Sequence, residues 1–195
     1  MGGRSDPAAA FRLRVQIADA LPSMNVFLVG PMGSGKSAVG RQLAQRLALE
    51  FIDSDEEIEA RTGVDISYIF EREGEAGFRS REAEVIDAIT RREGVLVSTG
   101  GGAILDAGTR ERLRARGRVV YLRTSVDQQL ARTRRSNDRP LLNNDDPRGT
   151  LERLFEQRAF LYAEVAEIVV DTDGRKVKTV VDQVCRQLGV DEPAP

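Results

Sequence analysis

The octapeptide Gly30–Ser37, GPMGSGKS, restricts the fold of this 195-residue chain more than any other segment. It fits the spacing G-x-x-x-x-G-K-[ST]. The apolar run Asn25–Val29 (NVFLV) precedes it, and a pattern with Val39, Leu43 and Leu47 on one helical face follows it. Strand, glycine loop and helix in that order give the pattern its meaning. Glycines let the backbone curl so that successive N–H groups point at phosphate oxygens, and the helix adds its positive end. Lys36 supplies a mobile positive charge for the β- and γ-phosphates, and Ser37 a hydroxyl for Mg²⁺. The chain has no Asn-Lys-x-Asp guanine-reading motif, which favours ATP.

Beyond the loop, short apolar runs alternate with helical patterns. Strands are expected at 50–53, 95–98, 118–122 and 168–170. Helices are expected at 36–47, after Ser54 (with Glu57 as a capping box), after Asp65, and at 75–92. More follow between Asp106 and Gly117 and at 126–134, 150–163 and 176–188. Such alternation predicts an α/β fold: three α/β/α layers around a five-stranded parallel sheet, with ligands at the carboxyl ends of the strands. Residues 1–23 read as a flexible extension and 24–190 as a single domain.

Composition narrows the chemistry. No histidine is present, which excludes Ser-His-Asp and Cys-His catalysis and argues against zinc. Acid–base work falls to carboxylates or lysine, and a metal would be one that prefers oxygen. The single cysteine, Cys185, has apolar neighbours at helical spacing and reads as a buried hydrophobe. With 29 basic against 31 acidic residues the net charge is −2, so no nucleic-acid or membrane partner is expected. The N-terminus lacks a signal-peptide pattern, and no apolar run is long enough to span a bilayer, so a cytoplasmic location is expected. No helix shows a spare apolar face, so a monomer is expected.

Two carboxylates, Asp53 and Asp55, follow the second strand. Asp53 can orient a water on Mg²⁺, and Asp55 can take the proton of a substrate hydroxyl. An ordinary aspartate is a weak base, which suffices for a loose phosphoryl-transfer transition state. First-turn acids of a helix would look the same. Gly100–Gly102 follows the third strand, where backbone N–H groups can approach a ligand. Arg79 has Glu82 at i+3, as an exposed helix pair also would. Arg139 lies in the polar segment 136–147, where a mobile arginine can close over transferring charge.

Together these segments resemble shikimate kinase from about Asn25 to Leu188. The matching stretches are GPMGSGKS, FIDSDEEIE, GFRSRE, STGGG, RPLL (Arg139–Leu142) and RAFLY (Arg158–Tyr162). The resemblance implies a P-loop kinase with a helical substrate-binding region at about 54–82 and a lid at about 134–147. It implies that Gly33, Ser34, Gly35, Lys36, Ser37 and Ala38 hold ATP, with Arg132 against adenine, Arg139 on the phosphates and Arg175 on the adenine side. Ser37 and Asp53 would serve Mg²⁺. Asp55, Lys36 and Arg139 would be catalytic. Asp55, Arg79, Gly101 and Arg158 would bind shikimate, Ile66, Phe70 and Phe78 would wall its ring, and Glu82 would hold Arg79. The rivals are another P-loop metabolite kinase, for gluconate or a nucleoside monophosphate, and a nucleotide-binding module without catalysis.

Overall fold

A computed structural model of the chain describes residues 24–133 and 145–190. The expected extension, 1–23, and most of the expected lid, with Arg139, lie outside the described residues.

Five strands form one parallel sheet: β1 (Val26–Val29), β2 (Glu50–Asp53), β3 (Val95–Ser98), β4 (Arg118–Arg123) and β5 (Ile168–Asp171). Their spatial order is β2-β3-β1-β4-β5. Residues Val26, Phe27 and Leu28 pair with Leu96, Val97 and Ser98 on one side, while Val26 through Val29 pair with Arg118 through Tyr121 on the other. From β1 the chain moves outward to β2, returns to β3, and then crosses to β4 and β5. The loop leaving β1 therefore opens at the reversal point of the sheet, where α/β folds form their ligand crevice.

Every residue of β1 is fully buried. A strand covered on both faces needs apolar side chains along its length, and β1 supplies them throughout and β3 up to Ser98. Period-two alternation sorts these side chains into two cores. Phe27, Val29, Val97 and Tyr121 join Ile58, Phe78, Ile86 and Tyr162 on one face. Val26, Leu28, Leu96 and Val120 join Leu43, Val180 and Val184 on the other. The first core packs α2 (Ser54–Thr62), α3 (Ile66–Thr90), α4 (Ala107–Arg116) and α6 (Pro147–Val165). The second packs α1 (Lys36–Leu47) and α7 (Val177–Leu188). Helix α5 (Val126–Thr133) lies beside the phosphate loop. Cys185 is buried in the second core, as its spacing implied.

Two boundaries differ from the sequence reading, at the start of α2 and the start of α6, and one break agrees with it. The cap of α2 is Asp53, whose carboxylate accepts from the Asp55 N–H, and not Ser54. Ser54 is the first helical residue, and its hydroxyl instead accepts from the Gly100 N–H at 2.9 Å. The two helices expected between Asp65 and Arg92 are both present within α3 and meet at Gly74 (φ 69°, ψ −176°), a conformation that glycine alone adopts without strain. Helix α6 starts at Pro147 because the Asp146 side chain caps it through the Gly149 N–H and proline suits the first turn.

Candidate active site

A single cleft of about 690 Å³ lies across the carboxyl ends of β1, β2 and β3. It brings together Gly33, Gly35, Lys36, Ser37, Ala38, Asp53, Asp55, Arg79, Gly101, Arg132 and Arg158. These positions span 126 residues of sequence (158 − 33 + 1), and they meet because β1, β2 and β3 end side by side.

At the phosphate end, Gly30, Gly33 and Gly35 all have positive φ. That geometry turns carbonyls outward and N–H groups inward. The outward carbonyls have cationic partners. Lys36 Nζ donates to the Gly30 and Pro31 carbonyls at 2.7 and 2.9 Å, and Arg132 Nη1 donates to the Gly33 carbonyl at 2.9 Å. Gly33 has a second constraint, since a Cβ there would stand 3.2 Å from the backbone of Gln129 on α5. Ser34 lies in the loop but is buried, with its hydroxyl 3.4 Å from Lys36 Nζ.

Ser37 Oγ donates to Asp53 Oδ2 at 2.7 Å. Two hard oxygens side by side at the mouth of a phosphate loop suit Mg²⁺, which is commonly held by one or two protein groups and completed by phosphates and water. No cluster of three or more metal-ligating side chains occurs among the described residues, so the donor set fits that sparse mode rather than a protein-only cage.

At the other end, Asp55 faces the glycine run. A Cβ on Gly100 would stand 2.9 Å from Asp55 Oδ1 and would also run into Glu82 Oε1. Arg79 is held on two sides. Its Nη1 donates to Glu82 Oε2 at 2.6 Å, and its Nε and Nη2 donate to Glu75 Oε1 at 3.3 and 3.0 Å. Burial works against the Arg79 charge, but Glu82 and Glu75 outweigh it and raise the guanidinium above its ordinary value. Glu82 is the reverse case. Burial pushes its carboxyl up to about 7 and the Asp55 charge adds to this, while Arg79 and Arg158 pull against it.

Arg158 is 5% exposed, and its Nε has no hydrogen-bond partner among the described residues. A buried, incompletely satisfied guanidinium facing a cleft is a site for an incoming carboxylate. Ile66, Phe70 and Phe78 line the apolar wall, the two phenylalanine rings 4.8 Å apart.

Arg132 sits between the phosphate loop and Thr172, whose carbonyl it also meets at 3.0 Å. Arg175 is not among the cleft residues. Its side chain bonds Gln183 on α7, while its backbone N–H donates to the Thr172 carbonyl, which Arg132 also meets. The sequence reading left three participants without a role. Glu75 was visible only as an acid four residues before Arg79, a spacing that places both on one helix face. Ser54 and Tyr162 stood inside matched stretches, but their cross-links to Gly100 and Gly101 depend on the fold.

A family model described as shikimate kinase matches residues 32–189. The shikimate kinase of Shewanella amazonensis is 55% identical over 165 residues, covering 85% of this chain and 96% of its own. Among solved structures, a shikimate kinase from Acinetobacter baumannii in complex with shikimate superposes with a TM-score of 0.85 at 46% identity, covering 89% of this chain and 96% of its own. One from Bacteroides thetaiotaomicron gives 0.78 at 30% identity, covering 85% and 98%.

Proposed function

The chain belongs to the shikimate kinase family, and on that premise we propose how its own residues carry the reaction. The activity is transfer of the γ-phosphoryl group of ATP to shikimate, giving ADP and shikimate 3-phosphate, a step of aromatic biosynthesis. One observation supports the assignment of roles: the same cleft holds a phosphate loop at one end and Asp55, Arg79 and Arg158 at the other.

The inward N–H groups of Gly33 to Ser37, extended by Ala38, take the phosphates. Lys36 exchanges its loop carbonyls for phosphate oxygens, a short move for a long flexible side chain. Ser37 and Asp53 hold Mg²⁺, whose role when bound is to neutralise charge on the phosphates. Arg132, fixed by the Gly33 and Thr172 carbonyls, offers its plane to adenine. Arg139 is proposed to reach the phosphates from the lid, and Arg175 is kept as an adenine-side residue that would have to leave Gln183.

At the acceptor end, Arg79 and Arg158 clamp the shikimate carboxylate and Gly101 offers its N–H. The apolar wall of Ile66, Phe70 and Phe78 takes the ring face. This leaves a ring hydroxyl at Asp55, and Asp55 accepts its proton as the oxygen bonds to the γ-phosphorus and the bond to the β-phosphate oxygen breaks. A loose transition state needs little earlier deprotonation, so positioning carries most of the catalysis. We further propose a cytoplasmic monomer with no nucleic-acid or membrane partner, in keeping with a net charge of −2 and a single cysteine. The deciding assay compares ADP release with shikimate, gluconate and nucleoside monophosphates as acceptors. Turnover with shikimate no greater than with ATP alone would overturn the reading.

A further inference from the structure

Tyr162 is 1% exposed, and its hydroxyl donates to the carbonyl of Gly101. Its ring stacks on Tyr121 of β4, with centroids 5.1 Å apart and planes 26° apart. One helical turn earlier on α6 is Arg158, whose guanidinium stands beside the Tyr162 hydroxyl. Gly101 in turn lies against the phosphate loop, since a Cβ there would be 3.5 Å from the Met32 nitrogen and 3.6 Å from the Gly30 oxygen. The clamp helix, the glycine run and the phosphate loop thus meet around one hydroxyl.

A phenylalanine would fill the same space in this core, so the hydroxyl calls for its own explanation. Tyr121 supplies the contrast, because its hydroxyl is buried with no hydrogen-bond partner among the described residues. The stacked pair therefore does not depend on satisfied hydroxyls, and the bond to Gly101 is specific to Tyr162. Only one of the two points at a residue that lines the cleft.

We infer that Tyr162 is a positioning residue of the transfer site: by holding the Gly101 carbonyl it fixes the spacing between Arg158 on α6 and the glycine run that rests on the phosphate loop. That spacing sets where the acceptor hydroxyl sits relative to the phosphorus. The inference rests on the reading of Arg158 and Gly101 as the shikimate carboxylate site.

The test compares Tyr162→Phe, Tyr121→Phe, Arg158→Lys and the Tyr162→Phe/Arg158→Lys double variant. Loss of the Tyr162 hydroxyl should raise the shikimate KM about tenfold, with the ATP KM within about twofold of the parent. Tyr121→Phe should change neither. In the double variant the effect of Arg158→Lys should shrink, because the two residues act through one geometry. A Tyr162→Phe variant with a lower Tm and an unchanged shikimate KM would show a purely structural role and overturn the inference, as would an equal KM change in Tyr121→Phe. An unchanged KM in Arg158→Lys alone removes the carboxylate site itself, and the inference with it. A Tyr162→3-fluorotyrosine protein keeps ring and hydroxyl, and so serves even if the phenylalanine variant fails to fold. Its fluorine resonance should shift when shikimate saturates the enzyme, and a fixed resonance counts against the inference.

Discussion

Gly102 and the Arg79 guanidinium lie in direct contact: a methyl group on Gly102 would overlap all three terminal atoms, Cζ, Nη1 and Nη2. The backbone at Gly102 is ordinary (φ −99°, ψ −5°), so alanine is conformationally allowed there. The conflict is therefore with the far end of one long side chain and not with the fold.

Gly102→Ala should accordingly displace Arg79 and leave the rest of the molecule in place. The shikimate KM is expected to rise about tenfold as the planar fork loses its alignment, while the ATP KM and Tm stay near the parent values. Steady-state kinetics with each substrate varied in turn checks this. Equal changes in both KM values would place the disturbance in the phosphate loop instead.

Glu82 gives the site a pH signature. In the folded chain burial pushes this carboxyl up to about 7, whereas an unfolded glutamate ionises near its ordinary value. Between those two values the folded state binds the extra proton. The contribution is therefore fully present below the unfolded value and is lost as pH rises through about 7. The slope is at most about 1.4 kcal/mol per pH unit for one proton. Glu82→Gln, which keeps the shape and removes the titration, should flatten Tm against pH over this window. A slope unchanged in the variant would assign the pH dependence to another group.

These relationships mark where sequence reading stops. The phosphate loop was legible because its glycines, lysine and serine are contiguous and the flanking strand and helix declare themselves by periodicity. Asp55 and Arg79 were legible as chemistry, and the order of the matched stretches supplied their roles. What neighbours what across the sheet was not legible. Ser54 resembled a helix cap, yet the cap is Asp53, and the Ser54 hydroxyl reaches Gly100, 46 residues away. The break at Gly74 was legible, but that Glu75 just after it would hold Arg79 together with Glu82 was not. Arg175 lies in a turn of suitable composition, but its direction was set by Gln183 on the next helix.

Asp55→Asn should separate chemistry from nucleotide binding. Asparagine keeps the size and cannot accept the proton, so kcat is expected to fall roughly a hundredfold or more. The phosphate loop lies at the other end of the cleft, so ATP affinity by calorimetry should change little. A parallel loss of ATP affinity would mean that Asp55 belongs to the nucleotide site.

Ser37→Ala removes the donor to Asp53 Oδ2 and one of the two oxygens assigned to the metal. The Mg²⁺ concentration for half-maximal rate should rise, while shikimate binding without nucleotide stays at the parent value. Titration of activity against Mg²⁺ at fixed ATP, with shikimate calorimetry alongside, reads both. An unchanged Mg²⁺ requirement would remove Ser37 from the metal site.

Arg158 poses a conflict between stability and function that one substitution can expose. Its guanidinium is almost wholly buried, and Nε has no hydrogen-bond partner among the described residues, whereas Arg79 has two carboxylates. A desolvated and incompletely paired cation is destabilising until an anion arrives. Arg158→Met keeps much of the volume and removes the charge. Tm without ligand should therefore rise by a few degrees, on the order of 1 kcal/mol, while shikimate binding by calorimetry falls at least about a hundredfold. Added shikimate should then raise the Tm of the parent and leave the variant unmoved, because only the parent gains binding energy in the folded state. A variant that is both less stable and still responsive to shikimate would show that Arg158 is a structural residue.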